Sequence, residues 1–211
     1  FVYYSVLANG PRAATAALMK RAAADPEFFV QLVSNMGPKD PDWRSELPLE
    51  QEQVFANSRR ILRRLETIGI DASSKRPEEE QLKSFLSEVM RLAKERGCLD
   101  RAEREVGAIL GRQYRRHTGH WPMPILADFL ETAVSEDLRH GFFGGILESL
   151  GVSMRSPTAG GAQERGIEED FRRLSAYYRI SHPRFCRLLD SVADIYARQA
   201  EHEDLSAKML I

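Results

Sequence analysis

Residues 135–178, SEDLRHGFFGGILESLGVSMRSPTAGGAQERGIEEDFRRLSAYY, decide how this chain is read. They hold half of its 14 glycines, crowded between two segments of helical periodicity. Ser135 is suited to an N-cap, with Glu136 and Asp137 in the first turn to meet the positive helix end. Gly151 stands where a C′ glycine would stop the helix. At about 100° per residue, Leu138, Phe142, Phe143, Ile146, Leu147 and Leu150 are read on one side, and Gly141, Gly144 and Gly145 on the other. An interior glycine costs roughly 1 kcal/mol against alanine, so three together need a compensation. The expected one is close approach of a second helix, the segment from Gly161 to Tyr178, returned antiparallel by the loop 152–160. Two alternatives are a bare backbone surface met by a partner or ligand, and a break in the helix near Gly144.

The loop that follows carries Arg155, Ser156, Thr158 and the pair Gly160–Gly161 just ahead of the next helix start. Free N–H groups, a hydroxyl and an arginine there suit an anion. The spacing lacks the Lys-Ser/Thr pair of a phosphate loop, so Ser156 and Thr158 also read as capping or turn residues.

Working outward, the pattern is helical throughout. Asp25-Pro26-Glu27 combines an N-cap, an N1 proline and an acidic first turn, with Phe28, Phe29, Leu32 and Val33 as a core face. Before it, Arg12 to Ala24 reads as an alanine-rich helix. Pro48 opens a helix expected to run to Ile68 and to close at Gly69. Its Arg59, Arg60, Arg63 and Arg64 suggest a nucleic-acid patch, yet Glu50, Glu52 and Glu66 favour a solvated charged face. Helices then follow from Pro77 to about Glu95, from Asp100, from Pro122 or Pro124 to Val134, and from Pro183 to about Met209. In the last, the polar run after Ala200 is expected to project or fray. No sustained alternation competes, so the expected fold is all-α: an irregular multi-helix bundle or array of about nine helices. The polar stretch 69–77 is the expected linker between an N-terminal subdomain, 1–68, and a C-terminal one, 78–211, unless both pack as one domain.

The second irregular loop, 114–124, holds Arg115, Arg116, His117, His120 and Trp121. His117 and His120 lack further ligands at a zinc spacing. No metal and no cofactor are expected. A polar ligand in this loop, or in 155–161, is the enzymatic or ligand-binding alternative. His182, beside Pro183, reads as a cap-region residue rather than a base.

The chain has 211 residues and a formal net charge of -1, which argues against a general polyanion binder. Cys98 and Cys186 show neither metal nor disulfide spacing and fit a reducing compartment, so a cytoplasmic location is expected. No apolar run reaches transmembrane length, and no membrane partner is expected. The start, FVYYSVLANGP, lacks a signal pattern and an initiator methionine, which reads as a piece of a longer protein.

Two motifs, GVSMRSPTAGGAQER (151–165) and DPEFFVQLVS (25–34), resemble the C-terminal helical region of large, mostly uncharacterised bacterial multidomain proteins. The resemblance implies a helical interaction or scaffold domain. Its partners would be other domains of the parent polypeptide or a separate protein, and the resemblance carries no catalytic residue. A nucleic-acid-binding regulator is the remaining alternative, although no short helix-turn-helix with a basic second helix stands out.

Overall fold

In the computed structural model, residues 12–37, 48–69, 79–113, 124–132, 135–150 and 160–209 are described. Among them lie nine helices and no strand, so the protein is all-α. The chain divides into two compact units, Phe1–Arg116 with Ser135–Ile146, and His117–Val134 with Leu147–Ile211.

The first unit grows around its shortest helix. Asp25 caps it as the sequence demands: Oδ1 accepts from the amides of Glu27 and Phe28 at 3.0 and 3.1 Å. Pro26 then takes the first helical position, where its missing N–H loses nothing. Helix α2 (Pro26–Ser34) follows α1 (Arg12–Ala24) and packs against it. It also meets α3 (Leu49–Arg64), α4 (Glu79–Glu95) and α5 (Leu99–Arg112). Phe29, Val30, Leu32 and Val33 are fully buried, and the Phe29 ring meets Phe85 of α4 edge-on at 5.8 Å. Each such side chain contributes roughly 1.5–3 kcal/mol by leaving water. Helices on both sides of residues 69–77 therefore share one unit, rather than parting there; of the expected linker only Gly69 is described.

Helix α3 departs from expectation at its end. It stops at Arg64, and Leu65 turns extended, at φ -68° and ψ 120°. The cause comes from 50 residues away: Arg112 Nη2 donates to the carbonyls of Leu62 and Leu65, at 3.0 and 3.4 Å, and so satisfies helix-end acceptors. The extended stretch still buries Leu65 and Ile68. Gly69, at φ +68°, then ties its amide to the Ala23 carbonyl at 2.8 Å.

The glycines of α7 (Glu136–Leu150) meet α5, not the helix from Gly161 to Tyr178. An ideal Cβ on Gly141 would fall 2.8 Å from the carbonyl carbon of Arg104, and one on Gly145 2.8 Å from that of Ala108. From the other side, Cβ atoms on Gly107 and Gly111 would fall 2.7 Å from the Phe142 nitrogen and 2.8 Å from that of Ile146. All four would lie nearer still to a carbonyl oxygen, of Arg104, Ala108, Leu138 or Phe142. The two helices run parallel here, since contacts advance along both together. Each glycine hydrogen is aimed at a carbonyl of the other helix, the geometry of a weak Cα–H···O bond. Arg104–Asp137 (2.8 Å) and Ser135–Glu103 (2.6 Å) secure the entry end.

The reading of α7 as two opposite faces is corrected accordingly. At about 100° per residue, Gly145 lies only about 20° from Leu138, so the stripe of Leu138, Phe142 and Ile146 and the pair Gly141–Gly145 form one buried arc. Gly144 alone falls outside it, with nothing within 4 Å of a Cβ.

The second unit is built on an antiparallel hairpin, α8 (Ala162–Tyr178) and α9 (Pro183–Lys208), with α6 (Pro124–Thr132) packed on α9. Phe171, Phe185, Leu189, Val192 and Ala193 are buried along the pair, with Leu126, Ala127 and Leu130 of α6. Outside, Arg172 of α8 reaches Asp194 of α9 at 2.6 Å, which raises its pKa further.

Alanine at Gly141 or Gly145 is expected to lower stability by roughly 1–3 kcal/mol, because the obstacle is backbone and no side chain can yield. Alanine at Gly144 should raise it by about 0.5–1 kcal/mol. Thermal denaturation of the three single variants distinguishes the positions.

Candidate functional site

Of the residues singled out from sequence, Gly141 and Gly145 are spent on the α5 crossing, while Gly144 is open. Arg115, Arg116, His117, His120, Trp121, Arg155 and Ser156 lie outside the described residues. Gly160 and Gly161 are described, and the anion they face belongs to the chain itself.

That anion is Asp204, on the penultimate turn of α9. Its Oδ1 accepts from the Gly161 amide at 2.9 Å, and its two oxygens accept from Arg165 Nη2 at 2.8 and 2.7 Å. The hydrogen bond from Gly161, then the one from Arg165, hold the Asp204 carboxyl below its usual range. Gly160 is required twice over: φ is +60°, and a Cβ would fall 2.7 Å from Asp204 Oδ1. Gly161 lies so close to Ala200 that a Cβ would come 2.5 Å from its Cα. The polar end of α9 therefore does not fray: it stays helical to Lys208 and carries the carboxylate that completes the start of α8.

At the opposite end of the hairpin, sequence reasoning missed a constellation. His182 Nε2 lies 2.8 Å from Asp128 Oδ1 of α6, and Nδ1 lies 2.7 Å from Ser181 Oγ. The ring stands edge-on to Tyr178 at 5.3 Å, and Tyr178 in turn to Phe185 at 5.5 Å. Burial raises the Tyr178 phenol pKa. The 54-residue separation of His182 and Asp128 explains why no local spacing announced the pair.

Serine, histidine and aspartate in hydrogen-bond series invite comparison with a hydrolytic relay, and the surroundings argue against it. Such a relay needs amide donors waiting for an oxyanion. Here the amides of Arg184 and Phe185, at the start of α9, already donate to Glu131 Oε2 at 2.8 and 2.9 Å. The Asp128 side chain is 66% exposed, so water screens any field it would exert on the imidazole. The group works as a clasp: Glu131 caps α9 from another helix, Asp128 holds the cap residue His182, and Pro183 occupies the first helical position. His182 thus sits at the helix start, as its neighbouring proline indicated.

The two thiols are equally engaged. Cys186 Sγ donates to the Ser175 carbonyl at 3.1 Å, and burial pushes its pKa up, away from thiolate chemistry. Cys98, also buried, lies 3.3 Å from Ser34 Oγ. Among the described residues, no group of three or more His, Cys, Asp or Glu is placed to hold a metal ion, and no helix is long and apolar enough to cross a membrane.

Glu131→Ala is expected to destabilise by about 1 kcal/mol, the effect of losing an N-cap acceptor, read by urea denaturation. For Asp204→Asn the difference from wild type should depend on pH. Because the folded-state value is depressed, the charge contributes in full above the ordinary value of 3.8 and is lost as the pH falls through the lower folded value. Melting curves of both proteins should thus converge on acidification and separate near neutrality.

No family model, curated protein or solved structure matches this chain.

Proposed function

We propose that the chain is a helical interaction or scaffold domain of a larger bacterial protein, with no catalysis of its own. The observation that carries this reading is the turn joining α8 and α9. There Ile180 is 99% and Tyr177 79% exposed, while the polar groups beside them are taken up in bracing helices. Scattered single apolar residues on a surface need no explanation. An isoleucine and an aromatic together on a turn braced by His182, Tyr178 and Glu131 form a preorganised contact, and rigid aromatic anchors contribute disproportionately to protein interfaces. The partner is a protein surface, either another domain of the same polypeptide or a separate chain.

A photoactivatable phenylalanine analogue in place of Ile180, in the full-length gene product, tests this. Illumination is expected to join position 180 to one defined peptide outside residues 1–211. Tyr177→Ser should reduce the yield about tenfold, corresponding to about 1.4 kcal/mol of lost contact. The same substitution should change stability by no more than about 0.5 kcal/mol, as for a surface position. Adducts confined to the chain itself would overturn the reading.

A further inference from the structure

Three arginines converge on a cleft of about 470 Å³ in the first unit, a volume within the range of small-molecule sites. Arg63 and Arg64 come from the last turn of α3, Arg112 from the last turn of α5, and the remaining wall is Met19, Leu65 and Glu66. Arg112 is fixed from behind by its bonds to the Leu62 and Leu65 carbonyls. Such bracing removes much of the rotamer entropy that an arginine otherwise loses when it binds. Arg63 and Arg64 are exposed. Neither side chain makes an ion pair or hydrogen bond among the described residues.

Favourable placement at a helix C-terminus accounts for Arg63 and Arg64 as single cations, at about 0.3–1 kcal/mol each. It does not account for a third guanidinium brought from another helix to the same opening. Three guanidiniums against the one carboxylate of Glu66 leave a formal excess of two positive charges. A phosphomonoester carries about -1.5 to -2 near neutral pH and offers acceptor oxygens that match the guanidinium fork. Glu66 can accept from a hydroxyl on the same ligand, and Met19 with Leu65 supplies apolar wall for its carbon frame. From this convergence we infer that the cleft is a binding site for a small hydroxylated phosphomonoester, held by Arg63, Arg64 and Arg112.

Isothermal titration calorimetry with ribose 5-phosphate as the probe, alongside ribose, inorganic phosphate and a single-stranded oligonucleotide, tests the inference. Saturable one-to-one binding of ribose 5-phosphate is expected, with none for ribose and weaker binding of inorganic phosphate. Arg63→Gln with Arg64→Gln should weaken it at least tenfold at an unchanged melting temperature. Arg112→Lys keeps a charge but loses the fork, and should weaken it as well. The inference fails if ribose 5-phosphate does not saturate at about 10 mM, ten times a 1 mM dissociation constant. It fails equally if the double variant binds as wild type does, or if inorganic phosphate binds as tightly as the ester. Tighter binding of the oligonucleotide would assign the arginines to a nucleic-acid backbone instead.

Discussion

Two helix backbones can touch only where neither carries a Cβ, and the first unit depends on one such contact. Gly107 and Gly111 of α5 and Gly141 and Gly145 of α7 interlock so that each glycine covers a carbonyl of the other helix. The closeness brings Leu138, Phe142 and Ile146 fully into the interior beside Val106, Ile109 and Leu110. It also sets the register in which Arg104 meets Asp137 and Ser135 meets Glu103. Glycine is unfavourable inside an isolated helix, so the four residues are intelligible only as a tertiary device.

What could be read from the sequence was what is encoded locally. The capping of α2 by Asp25 and Pro26, the apolar stripe of α9 and the all-α class each follow from spacing within a few residues. Features set by distant partners were not legible. Helix α3 was extended past Arg64 because Leu65 and Ile68 continue its periodicity; the sequence around them does not say that Arg112 takes the terminal carbonyls. The crossing glycines were recognised as needing a neighbour, but the wrong one was chosen, since a nearby antiparallel helix is the simplest guess. The Gly107–Gly111 spacing, discounted alone, was the missing half. The His182–Asp128 pair and the Asp204 cap lay beyond any local pattern for the same reason.

The second unit shows how polar residues that resemble chemistry can be absorbed by architecture. Its hairpin has a carboxylate-capped helix start at each end: Asp204 on Gly161 at one, Glu131 on Arg184 and Phe185 at the other. Both carboxylates come from a different helix than the one they cap, so each bond closes a tertiary contact while satisfying orphan amides. A site inventory drawn from residue types alone would count aspartate, histidine, serine and glycine here as candidates. Their hydrogen bonds give them structural work instead, and leave the apolar turn residues Tyr177 and Ile180 as the groups without an internal use.

The crossing of α5 and α7 also bears on how this sequence can drift. When a buried side chain outgrows its space, a neighbour can shrink and restore the fit. At Gly107, Gly111, Gly141 and Gly145 the obstructing atoms are main-chain, identical whatever residue carries them. No second substitution can therefore compensate a first. The four positions form a locked set, closed to the paired exchanges by which ordinary cores wander, and drift in this unit is channelled to its side-chain contacts.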